Sequence, residues 1–183
     1  MNPVKIVGAD GKRRDRDFYP TPKECVYALV EFLNIPKHSM ILEPACGDGA
    51  IMEALRDKGY KNVVGSDIVF GDDFLEQDDI GTAEWIITNP PFSIADKFIS
   101  KAHDLAVPFA YLLKIQYWNS AKRRLLFEQI RPRFILPLTW RPDFTGQGNS
   151  LMDMMWCVWM TDNMDVTFYD VLRKPNCGAR MEE

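Results

Sequence analysis

The 183 residues suffice for one domain with its own core, and 46% apolar and 26% charged residues are ordinary proportions for a globular chain. A net charge of -4 argues against a generally basic, nucleic-acid-binding surface, and no apolar run is long enough to span a membrane. The start, Met1-Asn2-Pro3-Val4-Lys5, lacks the apolar core of a signal peptide, so a cytoplasmic location away from membranes is expected. Cys25, Cys46, Cys157 and Cys177 stand at no metal-ligand spacing, and with only His38 and His103 available neither a zinc site nor a histidine-based triad is expected.

Residues 1–16 are polar and basic and read as a flexible arm. Pro20 and Pro22 punctuate the start of a helix over 22–33, whose Val26, Leu29, Val30 and Leu33 repeat at helical spacing. A short strand over 40–42 runs into Glu43-Pro44-Ala45-Cys46-Gly47-Asp48-Gly49, followed by a helix to about Lys58. Strands are predicted over 62–68 and 84–88, the latter ending at Asn89-Pro90-Pro91-Phe92 before a helix to about Leu105. A strand over 107–113, a helix over 121–130 and a strand over 133–138 follow, then a polar loop over 139–150. The last strands are 154–160 and an edge strand at 166–169. Such alternation predicts one α/β domain over 17–172, with a mostly parallel sheet covered by helices on both faces, and a short tail over 173–183.

In open α/β sheets ligands bind beyond the carboxyl ends of the strands, so the loops there carry the functional signal. Gly47 and Gly49 permit a sharp turn and a close backbone approach, but Met52 occupies the third glycine position of the dinucleotide fingerprint, which disfavours a nicotinamide enzyme. Asp67, twenty residues after Gly47, is placed to accept the hydroxyls of a nucleoside ribose. The most specific signal is Asn89-Pro90-Pro91-Phe92. Two prolines make the loop rigid. The Asn89 amide oxygen and the Pro90 carbonyl can hold the two hydrogens of an exocyclic NH₂ while leaving its lone pair to attack an electrophilic methyl. Phe92 offers a flat face for a base.

These residues resemble the amino-methyltransferases of DNA, above all the adenine-specific ones. The resemblance runs from Asp17 to about Met160. Asp17-Phe18-Tyr19-Pro20-Thr21-Pro22 resembles the family's motif for the methionine part of S-adenosylmethionine, implying Tyr19, Thr21 and Pro22 as cofactor contacts. The segment from Glu43 through Pro44, Ala45 and Gly47 to Gly49 resembles the cofactor loop, and Asp67-Ile68 the ribose-binding strand end. Gly71-Asp72-Asp73-Phe74 resembles the segment that contacts the cofactor's adenine, implying Asp73 and Phe74. Asn89, Pro90, Pro91 and Phe92 resemble the catalytic motif, with Asn89 also bordering the cofactor. The implied fold is the Rossmann-like class I methyltransferase fold, a mostly parallel seven-stranded sheet with helices on both faces and one antiparallel strand. Asn89 in place of Ser leans toward adenine by resemblance alone. RNA bases and protein glutamine amides, held by the same motif elsewhere, remain alternatives, as does a non-catalytic nucleic-acid-binding module.

Such enzymes usually carry a separate target-recognition domain. Only residues 139–150 and the tail are available here, so a dimer or a separate specificity partner is implied. The charge is uneven: residues 114–141 hold seven basic residues and one acid, and residues 143–170 hold five acids and no base. Lys114, Lys122, Arg123, Arg124 and Arg141 are therefore candidate DNA or RNA contacts, joined by Trp140 and Phe144 in a loop expected to order on binding. A solvated helix face for 122–124 and a core position for Trp140 are equally natural readings.

Overall fold

The computed structural model describes residues 20–148, 152–162 and 164–176. The N-terminal arm, Tyr19 and the end of the tail lie outside the described residues. Among these residues four helices, α1 (Lys23–Leu33), α2 (Ala50–Asp57), α3 (Ala95–Asp104) and α4 (Arg124–Gln129), are interspersed with seven strands. The strands are β1 (Ile41–Glu43), β2 (Val63–Gly65), β3 (Trp85–Thr88), β4 (Phe109–Lys114), β5 (Phe134–Pro137), β6 (Met154–Trp159) and β7 (Phe168–Tyr169). They form a single sheet in the order β2-β1-β3-β4-β6-β5-β7. Pairing is parallel from β2 to β4 and between β5 and β7, and only β6 runs antiparallel to its neighbours.

Strand alternation divides the core between two faces. Ala110 and Leu112 of β4 and Met154, Trp156 and Val158 of β6 pack with Val26, Leu29, Ile51 and Leu55 of α1 and α2. Phe109, Tyr111 and Leu113, with Met155, Cys157 and Trp159, pack with Phe98, Ile99 and Ala102 of α3. β4 and β6 are apolar on both sides because both sides are covered. The large rings also satisfy their polar atoms: Trp156 Nε1 donates to the Cys25 carbonyl at 2.9 Å, and Tyr111 OH to the Phe98 carbonyl at 3.1 Å. Among the described residues no helix is long and apolar enough to cross a membrane.

Two predicted elements differ. β2 ends at Gly65 rather than at 68, because the Asp67 side chain accepts the Val69 N–H at 2.9 Å and turns residues 68–70 into a 3-10 turn. The helix predicted over 121–130 splits into a 3-10 turn, Ala121–Arg123, and α4. The polar loop after β5 is organised by Asp143, which accepts from the backbone of Thr145, Gly146 and Gly148 and from the Thr145 hydroxyl.

Candidate active site

Because β1 to β4 are parallel, their carboxyl ends lie along one edge of the sheet, which carries Glu43, Gly65, Thr88 and Lys114. The loop after β1 turns through two left-handed glycines, Gly47 at φ 52° and Gly49 at φ 85°, the latter starting α2. Glu43 is 2% exposed, and its Oε2 accepts the Met52 N–H of α2 at 3.1 Å. Burial pushes its carboxyl well above the usual 4.5. The Met52 bond opposes that rise, and the charges of Asp48 and Asp67 add to it.

Asp67 ties this loop to the next. Its Oδ2 accepts the Gly47 N–H at 3.0 Å while Oδ1 takes Val69, and the Cys46 N–H reaches the Ser66 carbonyl at 3.0 Å. Each carboxylate oxygen has a second lone pair, so the brace still leaves acceptor capacity. Gly65, which the sequence reading passed over, is what lets the two loops close together. A Cβ there would lie 2.3 Å from Met52 Sδ and 2.9 Å from Cys46 Cβ. Ile68, beside Asp67, is 67% exposed.

The segment 71–74 departs from the expectation. Asp73 Oδ1 accepts the Leu75 N–H at 2.9 Å and caps a 3-10 turn, Phe74–Glu76. That turn drives Phe74 inward to 1% exposure, with its ring 5.1 Å from that of Phe98. The Phe74 side chain belongs to the core under α3, not to the exposed strand-end surface where a cofactor contact is expected.

After β3, Thr88 is fully buried and Asn89 Nδ2 donates to Thr21 Oγ1 at 3.2 Å, joining the loop to the segment that leads into α1. Thr21 is itself buried, and Pro22 caps α1. The Pro91 carbonyl accepts the Ile94 N–H at 3.1 Å and closes the turn into α3. Phe92 is half-buried against the α1-side core, and Lys114 Nζ lies 4.5 Å from its ring centroid. Lys114 therefore stands beside the Asn-Pro-Pro-Phe loop.

The other candidate contacts separate. Lys122 is exposed. The Arg123 guanidinium packs 4.1 Å from the Tyr117 ring centroid and donates to the Tyr117 carbonyl at 3.1 Å. Arg124 pairs with Glu128 and Arg141 with Asp153, each at 2.7 Å. Trp140 packs partly buried against the α1-side core. Phe144 is 6% exposed in that same core and presents no face to a base, which corrects its expected role.

No protein-family model matches the chain, and no curated protein matches its sequence. Solved structures do match. A proposed RNA methyltransferase from Pyrococcus horikoshii superposes with a TM-score of 0.61 at 13% identity, covering 86% of this chain and 94% of that one. A proposed class I S-adenosylmethionine-dependent methyltransferase from Listeria monocytogenes gives 0.55 at 12% identity, over 83% of this chain and 65% of that one. The chain has the Rossmann-like class I methyltransferase fold. A modification subunit of a proposed type I restriction enzyme from Vibrio vulnificus gives 0.56 at 14% identity over 87% of this chain. The chain spans about half of that protein, 48% of its length.

Proposed function

We propose that the chain transfers a methyl group from S-adenosylmethionine to the exocyclic amino group of adenine in DNA. The observation that carries this reading is the Asn89-Pro90-Pro91-Phe92 loop at the carboxyl end of β3, the strand next to β1 and its braced glycine loop. The residues present suit the cofactor. Asp67 retains acceptor capacity for ribose hydroxyls, and Ile68 beside it offers an exposed apolar surface to a purine. The buried hydroxyls of Ser66 and Thr88, at the ends of β2 and β3, have no hydrogen-bond partner among the described residues. Tyr19, Thr21, Pro22, Glu43, Pro44, Ala45, Gly47, Gly49 and Asp73 complete the proposed surround.

When bound, S-adenosylmethionine supplies a methyl group made electrophilic by its sulfonium. The chain's own work is to hold the nucleophile. An adenine in a duplex must leave the stack, at a cost of a few kcal/mol. Asn89 is oriented by its bond from Nδ2 to Thr21, so its amide oxygen is fixed relative to the loop. That oxygen and the Pro90 carbonyl accept the two amine hydrogens. They stabilise the positive charge that grows on nitrogen as it is alkylated, before one proton leaves. The proline-fixed backbone makes this geometry available without rearrangement. Phe92 and Lys114 add an aromatic plane and a cation, a pair suited to a base whose ring nitrogens accept hydrogen bonds.

The test is transfer of tritiated methyl from labelled S-adenosylmethionine to DNA, to RNA and to a glutamine-bearing protein, with nucleoside analysis of the products. The expected product is N6-methyladenine in DNA. Label found only in RNA moves the substrate to RNA, and label in neither nucleic acid overturns the proposal.

A further inference from the structure

Ion pairing sorts the cations of this acidic chain. Lys23, Lys58, Lys101, Arg124, Arg131, Arg133, Arg141 and Lys174 each meet a carboxylate. Among the described residues Lys97, Lys122 and Arg123 meet none, and these three line one cleft. The cleft has a volume of about 620 Å³ and lies between α3 and residues 120–126. Lys37, Arg56, Lys61, Lys114 and Arg173 also lack a carboxylate partner, but none of them lines this cleft, and Lys114 lies over the Phe92 ring.

We infer that this cleft seats the phosphodiester backbone of the nucleic-acid substrate, next to the nucleotide whose base is methylated. The inference rests on the nucleobase reading above and adds where the strand runs. Both walls start at the active edge of the sheet: α3 follows the Asn89–Phe92 loop, and residues 120–126 follow β4 and Lys114. Lys97 comes five residues after Phe92, so their separation is at most about 18 Å even in a fully extended chain. A strand carries one phosphate per ~3.4 Å of duplex axis, so phosphates within a few nucleotides of the target come within reach.

The chemistry of the walls fits an anion. Lys97 and Lys122 are exposed point charges. Arg123 is pre-set by its packing on Tyr117 and by one bond to the Tyr117 carbonyl, which leaves its other donors for a phosphate fork. Ser120 brings a hydroxyl. Lys101 shares the cleft but faces Asp78 at 3.5 Å, and Asp96 and Asp104 border it too. These acids temper the field, so the contact is modest and independent of base sequence. Specificity then lies elsewhere than in this cleft.

The experiment measures binding of the full chain to a short fluorescein-labelled DNA duplex, and to its RNA counterpart, by fluorescence anisotropy between about 0.05 and 0.2 M salt. The test variant is Lys97→Gln with Lys122→Gln. The control is Lys37→Gln with Lys61→Gln, the same charge change on residues that precede β1 and β2 at the opposite end of the sheet. Calorimetry with S-adenosylmethionine reports that each variant is folded. The cleft variant should lose roughly tenfold in affinity near 0.1 M salt, and its log–log salt slope should fall by about 1.8, two phosphates' worth. The control should stay within about twofold of wild type. Cleft-dependent binding of RNA but not DNA supports the cleft with RNA as the source of the phosphates. Cleft-dependent binding without methyl transfer also supports the cleft, and it is then the nucleobase reading that fails. Wild-type affinity and slope in the cleft variant, or an equal loss in the control, overturns the inference.

Discussion

Gly65→Ala probes the joint on which the cofactor cradle depends. The new Cβ would stand 2.3 Å from Met52 Sδ, 2.9 Å from Cys46 Cβ and 3.1 Å from Cys46 Sγ, against the 3.4 Å at which ordinary contact begins. The Met52 thioether can rotate away. Cys46 Cβ cannot, because it moves only with its backbone, whose N–H is bonded to Ser66 and whose neighbour Gly47 is bonded to Asp67. The loop must therefore retreat by several tenths of an ångström. Overpacking of this kind costs about 1–3 kcal/mol. At this chain length that lowers Tm by roughly 2–4 °C per kcal/mol. Displacing Gly47 also disturbs the backbone that approaches the cofactor, so S-adenosylmethionine affinity should fall about tenfold, the order of one lost hydrogen bond. Differential scanning calorimetry and isothermal titration measure the two effects separately. Adding Met52→Ala should recover part of the stability but not the affinity, since Cys46 remains in the way. Wild-type Tm and wild-type affinity in Gly65→Ala would refute the argument.

Asp67→Ala should weaken S-adenosylmethionine binding by roughly 1–3 kcal/mol and also lower Tm, because the Gly47 and Val69 N–H groups lose their acceptor; unchanged affinity by calorimetry would remove Asp67 from the site. Glu43 has a folded-state pKa raised by burial, so the folded state binds the extra proton. Its contribution to stability is full below about pH 4.5 and is lost as pH rises toward the folded value, by at most about 1.4 kcal/mol per pH unit. Glu43→Gln keeps an acceptor for Met52 and should flatten that loss, raising the urea midpoint at pH 7 relative to wild type; an unchanged or steeper pH dependence would contradict the shift.

The elements were legible where the pattern was local. The spacing of Val26, Leu29 and Val30 marks α1, and the apolar runs in β4 and β6 mark strands covered on both faces. The strand-end loops were legible because glycine, proline and a following acid are punctuation in any α/β chain. What escaped depends on partners distant in sequence. Ile68 continues the apolar run and reads as the end of a strand, yet the Asp67 side chain turns residues 68–70 and leaves all three exposed. Phe144 sits among polar loop residues, and only the folded chain shows that it closes the core beside α1. Lys97, Lys122, Arg124 and Arg141 look alike in sequence, and they part company only when Glu128 and Asp153 arrive beside two of them.

The central claim is that Asn89 holds the amine that is methylated. Single-turnover transfer of tritiated methyl to adenine-containing DNA, comparing wild type with Asn89→Ala, tests it most directly, with cofactor affinity measured on the same preparations. The account predicts N6-methyladenine from the wild type, and no detectable product from Asn89→Ala despite S-adenosylmethionine affinity close to that of wild type. An Asn89→Ala enzyme that methylates DNA at the full rate would contradict it.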